Sequence, residues 1–334
     1  LQKVDLYRCI VAVMTKQFHT RTWKPFPETF KILHDEKGDT EYVEISDTGV
    51  VRFVSKNYMT DCIMRYIEQD CHHIGQTLVK ISDLNEIVKR LHIPQMYIDI
   101  KKVKPVLEAS QPGLTFRRLP WDLTEGKFPT FEEFLYRTSN AEALMAWIGS
   151  LFYEGRDRQQ YVWLYGEGRN GKGSLCRILQ RVFGRSYATE QPPPRDDRFW
   201  TSGLLGKRLV VFPDCNHYAF PTTGLFKSLT GGDSVRIERK GCQPFDAELT
   251  AMFMFLSNGR PKISSQEADL RRAIFSEISP VDIDFGSKYE ELLWKEAPYF
   301  LFKCRQEYDR LCPNGGSIPV NREVTSDIAE SAEA

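Results

Sequence analysis

The sequence has no hydrophobic run approaching the roughly 18 residues that a membrane-spanning helix requires. The apolar segment 6–14 is short, contains Arg8 and has no small-residue cleavage site, so it does not predict a signal peptide. We therefore expect no membrane partner and a cytoplasmic location. The chain begins at Leu1 rather than at Met, which predicts a fragment of a longer protein.

An excess of charge of either sign is also missing. The 334 residues include 45 basic and 45 acidic side chains, so no bulk field attracts a polyanion, and binding of nucleic acid requires a local basic patch. Because 41% of the residues are hydrophobic and 12% are aromatic, the composition excludes a disordered chain. The length suits two domains of ordinary size, or one large domain with an appendage.

Cysteine pairs with metal-ligand spacing are absent. The eight cysteines include no Cys-x-x-Cys pattern, which predicts reduced and mostly buried thiols in a cytosolic protein. Cys71, His72 and His73 do not predict a zinc site, because adjacent side chains rarely converge on one ion and no second cluster supplies the other ligands.

The first half of the chain divides into two predicted parts. Residues 1–115 are predicted to form a small mixed α/β domain of unknown role, with strands at 30–34, 42–45 and 50–54 and helices at 4–18, 58–67 and 84–91. Residues 116–155 are predicted to form a linker and a helical collar. One collar helix starts at Thr130, where Glu133 completes a capping box, and the other is capped by Asn140.

Residues 156–285 have the pattern of an α/β core. Continuous apolar runs at 161–165, 208–212, 251–256 and 272–278 are typical of strands buried on both faces of a parallel sheet. Residues 286–334 are predicted to form C-terminal helices and a polar tail, and Pro298 is expected to divide the amphipathic stretch into two helices.

A phosphate-binding loop (the P-loop, residues 166–174) follows the first buried strand. Its glycines allow backbone N–H groups to surround phosphates, and Lys172 is placed to meet the β and γ oxygens of ATP at the start of a helix. The predicted ATP-binding residues are Gly166, Glu167, Gly168, Arg169, Asn170, Gly171, Lys172, Gly173 and Ser174. The alternative is a glycine-rich turn that opens an ordinary helix.

Magnesium ligands are less clearly marked. The usual pattern has Ser or Thr directly after the lysine, but here Gly173 stands there, so either Ser174 or water is expected to complete the Mg²⁺ shell. Asp214 follows the second buried strand, and we expect it beside the P-loop as the carboxylate that holds Mg²⁺. A lone Asp after a strand is also common for structural reasons.

Two further strand ends carry polar groups. Asn258 follows the third buried strand and can orient the attacking water or sense the γ-phosphate, unless it is only a turn residue before Gly259. Arg271 and Arg272 precede the fourth, where one of them can reach a phosphate of its own chain or of a neighbouring subunit. The alternative is a basic strand edge that pairs with Glu267 or Asp269.

Residues 230–246 alternate like a β-hairpin with its tip at positions 240 and 241. Arg236, Arg239 and Lys240 give this hairpin a local basic character, and such side chains bind phosphates without reading bases. The alternative is an ordinary solvated tip. The hairpin alone does not distinguish a DNA-binding tip from a solvated one.

From residue 120 to about residue 311, the chain resembles the superfamily 3 helicase module of phage, plasmid and poxvirus-type primase-helicases. The most specific element is the run Lys-Ser-Leu-Thr-Gly-Gly-Asp at 227–233, which other P-loop enzymes generally lack. The other matching pieces are Trp121, the P-loop to Lys172, the run 206–211 with Asp214, Phe226, Phe245, Asn258, and the pair Arg271 and Arg272.

The resemblance implies an AAA+-like P-loop ATPase core with an N-terminal helical collar, assembled as a ring, expected to be a hexamer, with ATP and Mg²⁺ at each interface. It assigns phosphate binding to Lys172, Mg²⁺ to Asp214 and a sensor role to Asn258. It gives Arg272 or Arg271 the role of a finger that reaches the neighbour's ATP, and it makes the hairpin around position 240 the element that moves single-stranded or forked DNA. An upstream primase-polymerase domain and a viral or phage origin, with the host cytoplasm as location, are further implications.

Two other function classes stay open at this point. A P-loop kinase that acts on a small molecule would need an acceptor site and a lid, and would have no use for a basic hairpin or an arginine acting in trans. A DNA-binding replication initiator that uses ATP only as an assembly switch would keep the loop, the acid and the hairpin. The sequence separates the kinase more easily than the initiator from a replicative helicase.

Overall fold

A computed structural model describes residues 29–34, 40–46, 48–54, 58, 61, 103–153, 159–189, 199–213, 215, 224–238, 244–261, 271–282, 285–320 and 328. The chain divides into two compact units, one formed by residues 1–104 and 112–116 and the other by residues 105–111 and 117–334. Within the described residues, no helix has the length and apolar character needed to cross a membrane.

The first unit contains a three-stranded antiparallel sheet in the order β1-β2-β3. Its strands are β1 (Thr29–His34), β2 (Thr40–Ile45) and β3 (Val51–Val54), which confirms the three predicted strands. A small core of Val43, Ile45, Val51 and Val103 holds the unit together. The predicted helices at 4–18, 58–67 and 84–91 lie outside the described residues, apart from two isolated positions.

The second unit alternates helices and strands. Its elements are α1 (Pro129–Tyr136), α2 (Ala141–Ser150), β4 (Tyr161–Tyr165), α3 (Lys172–Phe183), β5 (Tyr187–Thr189), β6 (Leu209–Phe212), α4 (Gly224–Gly231), β7 (Ser234–Ile237), β8 (Phe245–Glu248), β9 (Met252–Ser257), β10 (Ala273–Glu277) and α5 (Ser287–Leu311). Short 3₁₀ turns occupy Gly184–Ser186 and Trp200–Leu204.

Five of these strands form a sheet in the order β10-β4-β9-β6-β5, and every neighbouring pair is parallel. The four predicted core strands are confirmed, while β5 was not predicted. In a parallel sheet all carboxyl ends meet at one edge, which we call the carboxyl edge (Tyr165, Phe212, Ser257 and Glu277). The opposite, amino edge is formed by Tyr161, Leu209, Met252 and Ala273.

The strand order bears on the expected position of Asp214. The strand before it, β6, is not a direct neighbour of the P-loop strand β4, because β9 lies between them and pairs with both. Since neighbouring strands are about 4.8 Å apart, the ends of β4 and β6 are separated by roughly 10 Å. Asp214 itself lies outside the described residues.

Alternating side chains of the sheet face two different cores. One face is mostly aliphatic and packs under α2, α3 and α5. The other is aromatic and lies under α4, β7 and the 200–204 turn, with Phe255 stacked on Trp163 at 5.1 Å and on Phe212 at 4.8 Å between ring centroids. Burial on both faces explains why the strands are continuous apolar runs in the sequence.

The start of α1 differs from the predicted capping box. The N-cap residue is Phe128, and the first amide groups are satisfied by Glu296 of α5. The Glu296 carboxylate accepts hydrogen bonds from the Thr130 amide at 2.9 Å, the Thr130 hydroxyl at 2.7 Å and the Phe131 amide at 3.3 Å. A buried acid on another helix therefore takes the place that was assigned to Glu133.

The second collar helix begins as predicted, but its cap is different. Asn140 is the N-cap residue of α2 with φ +55°, and its side chain makes no capping bond. Its amide instead donates to the Phe275 carbonyl of β10 at 3.3 Å. The segment before α2 thus runs along the edge strand β10, where Ser139 N–H donates to Glu277 O at 2.8 Å.

The predicted break at Pro298 is wrong, because α5 is one helix of 25 residues with this proline inside it. Proline in a helix interior costs about 3 kcal/mol. Buried apolar side chains lie on both sides of it, at Leu293, Ala297, Phe300, Leu301 and Cys304. Each large one contributes about 1.5–3 kcal/mol on burial, so together they outweigh that cost.

Candidate functional site

The P-loop lies at the carboxyl edge, between β4 and α3. Gly166 has φ +134°, and a Cβ there would lie 2.3 Å from the Ile278 carbonyl oxygen, so only glycine fits. Gly171 has φ +94° and is the N-cap residue of α3, where no side chain caps the helix. The loop therefore passes close to the end of β10, and beyond the Lys172 amide the first turn of α3 can offer its N–H groups to an anion.

Lys172 is buried, and its ammonium group turns back onto the loop. Nζ donates to the Gly166 carbonyl, to the Glu167 carbonyl at 3.3 Å and to Asn170 Oδ1 at 3.2 Å. All three acceptors are neutral oxygens, and burial lowers the pKa of Lys172. A desolvated cation held only by dipoles favours an anionic ligand, so the chemistry of this loop fits the phosphates of a nucleotide.

Asn170 fixes the loop to the sheet. Its side chain is buried and donates from Nδ2 to the Ile278 carbonyl at 3.0 Å. Its Oδ1 also accepts the Lys172 backbone N–H at 3.3 Å, so one amide joins the end of β10 to the first residue of α3. The sequence pattern placed Asn170 in the loop without indicating this role.

Arg137, at the end of α1, is a site residue that sequence reasoning missed. Its Nη1 donates to the Asn170 carbonyl at 3.3 Å and to the Ser279 carbonyl at 2.9 Å. Glu133 holds the other side of the guanidinium at 2.5 and 3.1 Å. The i,i+4 spacing of Glu133 and Arg137 was the only available sign of this clamp, and it predicts no more than a helix-surface ion pair.

Asn258 and the P-loop are brought to the same edge. Asn258 is exposed directly after β9, the neighbour of β4, so the two strand ends are adjacent. Ser257 shapes the turn, because its hydroxyl accepts from Trp163 Nε1 at 2.9 Å and donates to the Gly259 carbonyl at 2.7 Å. After β6, the Cys215 amide donates to the Leu256 carbonyl at 2.7 Å, which places that neighbour of position 214 at the end of β9.

The Ser174 hydroxyl, which was predicted to contact Mg²⁺, is already hydrogen-bonded to another side chain. Ser174 is buried, and its hydroxyl accepts a hydrogen bond from Arg177 Nη2 at 3.1 Å. Gly173, at the usual position of the liganding hydroxyl, is exposed. Across the described ranges, no three His, Cys, Asp or Glu side chains converge as a metal site. The loop therefore fits phosphates better than it fits Mg²⁺. The other predicted Mg²⁺ ligand, Asp214, lies outside the described residues. Cys71, His72 and His73, which were considered as zinc ligands, lie outside them as well.

Arg271 and Arg272 lie at the opposite, amino edge, which argues against the alternative in which they reach a phosphate of their own chain. The Arg272 carbonyl accepts the Tyr161 amide at 2.8 Å, at the start of β4. This strand has five residues and rises about 3.3 Å per residue, which separates the two edges by roughly 16 Å, farther than an arginine extends. Both guanidinium groups donate to Gln159 Oε1 at 3.4 Å. The alternative partners at 267 and 269 lie outside the described residues.

The predicted hairpin is confirmed as the antiparallel pair of β7 and β8. Arg236 lies on its exposed face, within 3.8 Å of Asp246 and 3.9 Å of Glu238, so two carboxylates offset its charge. The tip with Arg239 and Lys240 lies outside the described residues. Only residues 249–251 separate β8 from the start of β9, so the base of the hairpin is at the amino edge.

Comparisons with known proteins agree with this architecture. Residues 164–272 match a family of unknown function, DUF5906. No curated protein is significantly similar. Three structures of the C-terminal region of NrS-1, all without ligand, cover 91% of this chain and 72–73% of that region, with 13–14% sequence identity and TM-scores of 0.58–0.60. At this identity the similarity shows a shared α/β fold.

Proposed function

We propose that this chain is an ATP-dependent replicative DNA helicase, with a superfamily 3, AAA+-like ATPase core that moves single-stranded DNA through an oligomeric ring. The observation that carries the proposal is the buried ammonium of Lys172, which is held by neutral oxygens at the N-terminus of α3. Such a group binds the β and γ phosphates of ATP. The superfamily 3 resemblance of the residues around it supplies the DNA-directed role.

In this proposal the carboxyl edge is the hydrolytic site. Lys172 binds phosphate, Asn170 and Arg137 keep the loop in place, and Asn258 orients the attacking water from the neighbouring strand. Asp214 would hold Mg²⁺, which when bound neutralises charge on the phosphates.

The position of the two arginines supports assembly into a ring. Arg271 and Arg272 are too far from the P-loop of their own chain, so a phosphate contact requires the nucleotide of a neighbouring subunit. A loop at one edge and a finger at the other form a head-to-tail contact, and such contacts give a ring when the rotation between neighbouring subunits closes. We propose a hexamer on the basis of the family resemblance.

The hairpin is the proposed DNA-contacting element. Arg239 and Lys240 are the residues that we expect to hold the DNA backbone, because Arg236 is already offset by Asp246 and Glu238. The three-residue connection to β9 joins the hairpin to the strand that directly precedes Asn258. Movement at the hydrolytic site can therefore reach the hairpin through one strand.

The test separates three function classes. The intact chain is assayed for ATP hydrolysis with and without single-stranded DNA, and for strand displacement on a forked duplex. A helicase is stimulated by the DNA and displaces the strand in an ATP-dependent manner. Stimulation without displacement points to the ATP-switched initiator, and hydrolysis that is insensitive to DNA favours a small-molecule kinase. Absence of both activities overturns the proposal.

A further inference from the structure

Gly173 occupies the position where the P-loop pattern usually places Ser or Thr, and Arg177 occupies the space above it. Arg177 is four residues later on α3, and side chains on a helix lean back over the preceding turn. Its Nη1 would lie only 3.2 Å from a Cβ at position 173. Glycine at this position therefore leaves room for a guanidinium group where a hydroxyl would otherwise stand.

Two contacts hold Arg177 in this position. Nε donates to the carboxylate of Glu290 on α5, and Nη2 donates to the Ser174 hydroxyl at 3.1 Å. The side chain is 53% exposed, so its head remains open to solvent beside the loop. Nη1 has no acceptor among the described residues, and it projects over the turn that begins with Lys172.

We propose that Arg177 is a phosphate-binding residue of the nucleotide site, which contributes directly part of the positive charge that a hydroxyl-bound Mg²⁺ supplies in other P-loops. This inference rests on the proposed function. A guanidinium group presents parallel N–H donors that match two phosphate oxygens, and it is charged at every relevant pH. The ligand class is the triphosphate group of a nucleotide.

The consequence is a weaker dependence of nucleotide binding on divalent cations. Lys172 and the Nη1 side of Arg177, whose Nε stays paired with Glu290, would then flank the phosphates before any metal is bound. Binding should therefore persist in EDTA, and the contribution of Arg177 should be larger there than in Mg²⁺, because metal and guanidinium offset the same phosphate charge.

The experiment is an equilibrium titration of the intact chain with a fluorescent ATP analogue, in Mg²⁺ and in EDTA. We expect Arg177→Ala to weaken binding about 10- to 100-fold, the range for a hydrogen bond to a charged group, with the larger loss in EDTA. Arg181→Ala is the matched control, because Arg181 lies one turn further along α3 and stacks on Trp294 at 3.8 Å. Thermal unfolding checks that both variants are folded.

Adding the missing hydroxyl gives a second readout. In the Arg177→Ala background, Gly173→Ser should recover part of the binding in Mg²⁺ and none in EDTA. Equal affinities of Arg177→Ala and the unsubstituted chain in both buffers would overturn the inference, as would equal losses in Arg177→Ala and Arg181→Ala. If the unsubstituted chain binds no nucleotide at all, the proposed function fails instead.

Discussion

Lys172 at the carboxyl edge of the sheet is buried among three neutral oxygens, whereas Arg271 at the amino edge is exposed and shares the Gln159 amide with Arg272. The Lys172 ammonium group is desolvated and is held in place by hydrogen bonds to the P-loop. The Arg271 guanidinium group is exposed to solvent. The carboxyl edge of the sheet is therefore suited to binding an anion in place, and the amino edge is suited to contacting an anion that lies outside it.

The supporting contacts differ in the same way. At the carboxyl edge, Asn170 and Arg137 connect the loop to the ends of β10 and α1 through hydrogen bonds of 2.9–3.3 Å. At the amino edge, the arginines follow a segment outside the described residues, and both donate to Gln159 Oε1 at 3.4 Å. Rigid support favours binding of the reacting group, and a loosely held side chain suits a contact that forms only on assembly.

The largest effect is expected from removing the buried cation at the carboxyl edge. Lys172→Ala should lower ATP turnover by about 10²- to 10³-fold or more, because it removes the desolvated cation that the P-loop holds at the proposed phosphate site. Steady-state phosphate release measures this loss. Lys295→Ala, which changes an exposed lysine of α5, is the control and should retain activity. Substantial hydrolysis by the Lys172 variant would remove the P-loop from the mechanism.

The next prediction tests whether the amino edge of one subunit contacts the carboxyl edge of its neighbour. Arg272→Ala and Asp214→Ala should each be nearly inactive alone, since a finger in trans is worth about 10³-fold. An equal mixture should recover hydrolysis at about one interface in four, where an intact loop faces an intact finger. Phosphate release from mixed and unmixed samples measures the recovery.

Absence of recovery would count against a contact in trans. Arg271→Ala is measured in parallel, because both arginines reach the same Gln159 oxygen and either can be the finger. A mild effect of Arg272→Ala together with a strong effect of Arg271→Ala would reassign the role without changing the comparison between the edges.

Local patterns were enough to predict four of the five strands of the parallel sheet and the P-loop. Runs such as 161–165 are continuous because both faces are buried, and the P-loop pattern directly follows one of them. The α1 cap was not predictable, because Thr130 and Glu296 are 166 residues apart in sequence. The same holds for Arg137, whose contact with the P-loop depends on how α1 packs.

Other errors arose where a local rule met a stronger distant contact. Pro298 follows a breaking rule, but the buried face of α5 overrides it. The arginines at 271 and 272 were correctly read as a strand start, while the edge at which a strand starts is set by the order and direction of the sheet. Neither of these is encoded in a short window of sequence.

A smaller effect concerns the hairpin at the amino edge. Lys240→Ala should reduce strand displacement by about 10-fold while reducing hydrolysis without DNA much less, because the phosphate-binding loop lies at the other edge. A fork-unwinding assay and phosphate release are compared on the same sample. Arg236→Ala is the control within the hairpin, with a smaller expected loss, since Asp246 and Glu238 already offset this charge. Equal loss of both activities would indicate a folding defect.

The smallest expected effect is the uptake of a proton by Lys172 when nucleotide binds, which would distinguish this buried cation from the exposed one. Burial lowers the pKa of Lys172, and the negative charge of bound phosphate should raise it again. Between these two pKa values, nucleotide binding takes up a fraction of a proton, so affinity falls as the pH rises through this range. Burial raises the pKa of the neighbouring Cys176 to about 12, which keeps that thiol protonated and silent.

Calorimetric titration in two buffers of different ionisation enthalpy measures this uptake. It is done above about pH 8, where phosphate with a pKa of about 6 no longer titrates. Lys172→Arg is the control, because a guanidinium stays protonated and should bind without proton uptake. Uptake in the unsubstituted chain that disappears in this variant assigns the proton to Lys172. Equal uptake in both would show that the ammonium group is fully charged before the nucleotide arrives, and that the two edges differ in geometry alone.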